Sequence, residues 1–199
     1  MSIQPKPYYR FEDYLTVERE GRDEKYEYIA GEVFAMTGAS FNHNLITANV
    51  IGELRNRLKS KPCSVLANDM RLRIEAADAC LYPDVMVVCD QPDFHDQRRD
   101  VLTNPSLVFE VISPSTEGYD RGGKFALYRS VPSLSHYVLI AQDRLGVDVF
   151  TRQAHGHWLL ECYDDRPDAE VALAAIGCTL PLREIYARVD LNPLTAGQA

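Results

Sequence analysis

The chain has 199 residues, 46% of them apolar and 25% charged, an ordinary globular composition with material for a sizeable core. No apolar run approaches the roughly 18 residues that a membrane span requires. The formal net charge of −8 argues against a generic nucleic-acid binder with a basic surface. It leaves a nuclease open, because metal-binding carboxylates raise the acidic count and a local basic strip can coexist with a negative total.

The opening "MSIQPKPYYRFEDYL" lacks the basic-then-apolar layout of a secretory signal, so a cytoplasmic protein is expected. "YRFEDYLTVERE" places Phe11, Tyr14 and Leu15 on one side of an amphipathic helix. "KYEYIAGEVFAM" reads as two strands around Ala30-Gly31, an N-terminal β-hairpin. Ser40 or Asn42 caps a long helix ending near Ser60. Its apolar stripe is Leu45 or Ile46, Val50, Leu54 and Leu58. Arg55, Arg57, Lys59 and Lys61 gather at its C-terminal end, where cations suit the helix dipole.

Short β-rich segments follow: "SVLAN", "MRLRIE", "LYPDVMVVC" and "SLVFEVIS". The polar "DQPDFHDQRRDVLTNP" between the last two reads as a surface loop. After "SPSTEGYDRGG" comes a helix, "KFALYRSV", then three strands, "HYVLIA", "GVDVFTR" and "HWLLECY", the last two joined by the turn-like "QAHG". "PLREIYARV" closes the chain as a short helix with Pro181 near its start. With no internal repeat and no long linker, residues 1–199 are expected to form one domain, a mixed α/β sheet with helices packed on it. The five cysteines (63, 80, 89, 162 and 178) are odd in number and lack C-x-x-C spacing, so free thiols are expected, and no zinc site.

Two apolar segments carry an unexpected carboxylate. Asp84 follows Pro83 at the start of "VMVVC", and Glu110 sits among Leu107, Val108, Phe109, Val111 and Ile112. A lone buried carboxylate costs several kcal/mol unless it is paired, protonated or metal-bound. Two such acids on adjacent strands can converge on one side of a sheet, and oxygen-only ligands there suit Mg²⁺ or Mn²⁺. Backbone carbonyls nearby, such as that of Val111, could complete the coordination. Lys124, just after Gly122-Gly123, could point its ammonium back towards the strand ends, with Asp120 as an N-cap. There it could position a water or neutralise charge developing on a phosphate.

The order Pro-Asp, then Glu in a hydrophobic strand, then Lys resembles the PD-(D/E)XK nuclease superfamily. "YEYIAGEVFAMTGAS…HN", "YPDVMVVCD" and "FEVISPSTEGYDRGGKFALYRSVPSLSHYVLI" are similar, more narrowly, to a large bacterial family of stand-alone restriction endonucleases. The resemblance runs from about Tyr14 to Tyr186. It departs from the superfamily pattern at the position two residues after Glu110, where Ile112 stands in place of lysine, so Lys124 is the matching group, shifted to the following helix.

The resemblance implies a restriction-endonuclease-like mixed sheet flanked by helices, Mg²⁺ or Mn²⁺ dependence, and hydrolysis of phosphodiester bonds in DNA by a homodimer. Asp84 and Glu110 would hold the metal, and Lys124 would assist the attacking water. Glu32 in "GEVF" either reaches the metal or its waters or faces solvent, and Asp69 in "ANDMRL" poses the same choice. His43 at the helix start either bonds a neighbour or contacts the scissile phosphate or a site water. Tyr128 packs on the stem of Lys124 or binds phosphate, and Trp158 belongs to the core or a dimer surface.

Two other chemistries are weaker. Ser113-Pro114-Ser115-Thr116 lacks the G-x-S-x-G elbow of a serine nucleophile. "GYDRGGKF" has Phe125 where a phosphate-binding loop needs a hydroxyl. The rival functions are a catalytically silent module of the same fold that binds a protein or nucleic acid, and a metal-dependent phosphodiesterase acting on RNA or small substrates.

Overall fold

A computed structural model describes residues 8–21, 24–164, 166 and 168–191. Helix α1 (Phe11–Glu20) leads into strands β1 (Tyr26–Ile29) and β2 (Glu32–Ala35), paired antiparallel around Ala30-Gly31. Helix α2 (Phe41–Arg57) starts on Ser40, whose hydroxyl accepts the His43 amide, and buries Ile46, Val50 and Leu54. Strands β3 (Cys63–Ala67), β4 (Arg71–Ile74), β5 (Ala79–Leu81), β6 (Val85–Cys89), β7 (Val101–Leu102) and β8 (Leu107–Ile112) follow.

The helical run after β8 has three parts: α3 (Glu117–Tyr119), a wide π-type turn over Asp120–Lys124, and α4 (Phe125–Tyr128). Strands β9 (His136–Ala141), β10 (Val147–Arg152) and β11 (Trp158–Tyr163) come next. The hairpin of β12 (Glu170–Leu173) and β13 (Cys178–Pro181) and the short helix α5 (Leu182–Ile185) complete the described fold.

The strands form two large sheets. One has the order β2-β1-β5-β4-β7, and the other β11-β10-β9-β8-β6-β3. Pairing is antiparallel except for β4 with β7 and β8 with β9. Strand alternation splits the core into layers. Phe109 and Val111 of β8 face α2, α5 and the β12–β13 hairpin. Val108 and Ile112 face the other way, towards Leu72, Ile74 and Leu81 of the five-stranded sheet. Glu110 shares that second face and lies between the sheets. Helix α1 covers the far side of the five-stranded sheet through Phe11, Tyr14 and Leu15 against Tyr28.

Four sequence expectations are corrected. "LYPDVMVVC" is two strands in different sheets, because Pro83 cannot donate to a ladder and the chain crosses between sheets at Tyr82-Pro83-Asp84. The supposed surface loop contributes β7, whose Val101 and Leu102 are buried beside β4. Asp120 lies inside the helical run and engages Lys124, not as a cap. Cys63 and Cys89 form a disulfide instead of two free thiols, because they stand directly opposite on antiparallel β3 and β6. The β12–β13 hairpin has no counterpart in the sequence reading. No helix among the described residues is long and apolar enough to cross a membrane.

Candidate active site

Asp84 stands where the chain enters β6, one residue before Val85 pairs with Phe109 of β8. Its Oδ2 accepts the Val111 amide at 2.7 Å, which fixes the carboxylate against the neighbouring strand. Val111 thus meets Asp84 through its N–H. Nε2 of His43, in the first turn of α2, lies 3.1 Å from the same Oδ2. Nδ1 of His43 is buried and finds no hydrogen-bond partner among the described residues.

Glu110 is 4% exposed. Its Oε1 accepts the Tyr128 hydroxyl at 2.6 Å and Nζ of Lys124 at 3.1 Å. Lys124 reaches it because the π-type turn carries the lysine back over the end of β8. Wide turns of this kind recur at functional sites. Nζ of Lys124 also lies 3.5 Å from Oε1 of Glu27 and 3.7 Å from Oδ1 of Asp120. Glu27 comes from β1, where its Oε1 accepts the amide of Tyr82, two residues before Asp84. The Tyr137 hydroxyl of β9 donates to the Asp120 carbonyl and holds the turn down.

One ammonium therefore faces several acids in a space shielded from water. Burial pushes the Glu110 carboxyl up to about 8, with Lys124 opposing and the charges of Asp84, Asp120 and Glu27 adding to the rise. Burial opposes the charge on Lys124, but Glu110, Glu27 and Asp120 outweigh it and hold its pKa above the usual lysine range. Asp120 is raised by burial. Lys124 stays charged, while burial above all, with the surrounding acids adding to it, draws Glu110 towards its protonated form.

The structure thus brings Asp84, Glu110 and Lys124 to one place and adds His43 through Asp84. Glu32 lies on the same face of the hairpin as Glu27, two cross-strand pairs further along, opposite Ile29. Asp69 is 84% exposed, pairs with Lys25, and stays outside the group. Tyr128 bonds Glu110 directly. Trp158 packs edge-on against Phe125. Glu27 is absent from the sequence reading. The available signal was the alternation of "YEYI", which gives Glu27 the opposite face from Tyr26 and Tyr28.

The donor chemistry suits a hard divalent cation. Among the described residues no three His, Cys, Asp or Glu side chains form a ready-made metal cluster. Mg²⁺ commonly uses one or two carboxylates and leaves the remaining positions to waters and substrate phosphates. Asp84 and Glu110 match that pattern, and the surplus negative charge around Glu110 favours a cation.

A family model described as "Uma2: Putative restriction endonuclease" matches residues 11–183. Two uncharacterized Synechocystis sp. proteins are similar along most of their length. One, sll1609, is 38% identical over 148 residues, covering 74% of this chain and 83% of its own. The other, slr1290, is 36% identical over 182 residues, covering 92% and 93%. A crystal structure described as a putative nuclease belonging to DUF820, from Anabaena variabilis ATCC 29413, shares the fold with a TM-score of 0.72 at 16% identity. The match covers 88% of this chain and 96% of that one.

Proposed function

Because the chain belongs to the Uma2 family of putative restriction endonucleases, we propose that it is a metal-dependent DNA endonuclease with its site at Asp84, Glu110 and Lys124. The observation that carries this reading is the contact of Lys124 Nζ with Glu110 Oε1 at 3.1 Å, on the strand whose Val111 amide anchors Asp84. The order acid, acid, lysine becomes one cluster in space although the lysine has left the strand.

Asp84 and Glu110 would hold Mg²⁺ or Mn²⁺. Such an ion, when bound, polarises a phosphoryl oxygen and lowers the pKa of a water. The protein's own groups do the rest. The Val111 amide and His43 orient the Asp84 carboxylate. Tyr128 and Lys124 both engage Oε1 of Glu110 and leave its Oε2 outside those bonds. Lys124, kept cationic by its acidic neighbours, orients the attacking water and offsets charge on the phosphate as the P–O bond breaks. Glu27 and Asp120 hold the ammonium in position.

The test is nicking of supercoiled plasmid with Mg²⁺, Mn²⁺ or EDTA, beside Asp84→Ala, Glu110→Ala and Lys124→Ala. Metal-dependent nicking lost in all three variants supports the assignment. Activity that survives in the variants refutes the site. Absence of both cleavage and Mn²⁺ binding would favour a catalytically silent binding module. Double-strand breaks by a sedimenting dimer would support one site per strand, as the family resemblance implies.

A further inference from the structure

The clustered acids and lysine are recessed, while two aromatic rings beside them are not. Side-chain exposure is 5% for Glu110, 11% for Glu27, 13% for Lys124 and 14% for Asp84. Phe34 is 46% exposed and Tyr119 44%. Phe34 stands directly across the hairpin from Glu27, on the same face. Met36, two residues on and 39% exposed, extends that apolar strip. Tyr119 also borders the cluster. Its ring lies over Gly123, where an added Cβ would come within 2.6 Å of it. Its hydroxyl is within electrostatic reach of Glu27, Lys124, Asp120 and Glu110.

The cations of this region are already committed. Lys124 faces Glu110, Glu27 and Asp120. Arg121 pairs with Glu117 and Asp148, Arg144 with Glu117 and Asp143, and Lys25 with Asp69. These four groups offer no unpaired basic strip for a phosphate backbone, so affinity has to come from the faces of bases, which only unpaired nucleotides expose. A recessed site also demands that the scissile phosphate enter it, which a flexible strand does and a stiff B-form helix does only by deforming. Exposed rings bordering such a recess can serve as a stacking platform, since every base presents a π-face.

Building on the endonuclease reading, we propose that Phe34 and Tyr119 stack unpaired bases flanking the scissile phosphate, so that the substrate is a single-stranded segment of DNA. Binding rests on the rings, with Met36 widening the apolar contact on the hairpin side. The duplex portions of such a substrate are held weakly.

The test is fluorescence anisotropy with Ca²⁺ in place of Mg²⁺. It compares a labelled single strand of about twenty nucleotides, long enough to exceed one binding site, with the same sequence as a duplex. The wild-type protein should bind the single strand at least tenfold more tightly. Phe34→Ala and Tyr119→Ala should each weaken that binding about tenfold, whereas Phe34→Trp and Tyr119→Phe should retain it. Thermal melts of the alanine variants should match the wild type, because both rings are half-exposed.

Equal or tighter binding of the duplex, or alanine variants that bind like the wild type, overturns the platform. If plasmid nicking is nevertheless metal-dependent and lost in Lys124→Ala, only the platform falls. If no DNA binds and none is nicked, the endonuclease reading falls with it.

Discussion

Replacing Glu110 with glutamine keeps the shape of the side chain and removes its proton. In the folded protein without metal, burial lifts the Glu110 carboxyl from 4.5 to about 8. A carboxyl with a raised folded pKa binds more protons folded than unfolded between those two values. Its contribution to stability is therefore complete below about pH 4.5, declines as pH rises, and is gone above about pH 8. At 1.36 kcal/mol for each pKa unit, the interval amounts to roughly 5 kcal/mol. Urea denaturation in EDTA across that range should show wild-type stability falling relative to Glu110→Gln by about 1.4 kcal/mol per pH unit. Adding Mn²⁺ should flatten the decline, since the ion takes the ionised carboxylate in place of the proton. Parallel stability curves for the two proteins would refute the assignment of a held proton to Glu110.

Tyr128→Phe removes a buried hydroxyl that donates to Glu110 at 2.6 Å and should cost about 0.5–1.5 kcal/mol in the same denaturation experiment; a loss that persists undiminished in a Glu110→Ala background, which has no acceptor there, would assign it to packing. His43→Ala frees one side of Asp84 and should weaken Mn²⁺ binding by about 10–100-fold in calorimetry. Unchanged affinity would remove His43 from the support of that carboxylate. Of the five cysteines, only Cys80, Cys162 and Cys178 should react with a thiol reagent in the unfolded, unreduced protein, and all five after reduction. Five reactive thiols before reduction would show that the Cys63–Cys89 bond does not form.

The elements with an undisturbed period were legible. The α2 stripe of Ile46, Val50 and Leu54, the hairpin at Ala30-Gly31, and the run of β8 to β11 all follow their hydrophobic spacing. The candidate cluster was half legible. Asp84 and Glu110 stand out because a carboxylate inside an apolar strand has few structural uses, and Lys124 stands out by following two glycines.

What stayed hidden is set by contacts distant in sequence. "LYPDVMVVC" is apolar on both sides of Pro83, so composition gives no sign that the chain changes sheets there. Val101 and Leu102 are only two apolar residues in a polar stretch, and their burial depends on β4 lying beside them. Cys63 and Cys89 become neighbours through the register of β3 on β6. Glu27 joins the cluster only because one face of the hairpin packs towards Lys124, which alternation alone does not reveal.

Lys124 meets a carboxylate, Glu27, that precedes it by about a hundred residues, and a second, Glu110, through the turn between β8 and α4. A nascent chain on the ribosome thus displays Glu27 and Glu110 before the ammonium that joins them. Nor does Lys124 alone complete the arrangement, because Tyr137 on the still later β9 pins the turn that carries it. Incomplete or locally opened copies have the acids but not the lysine that gathers them, so the cluster forms only in chains that have finished folding.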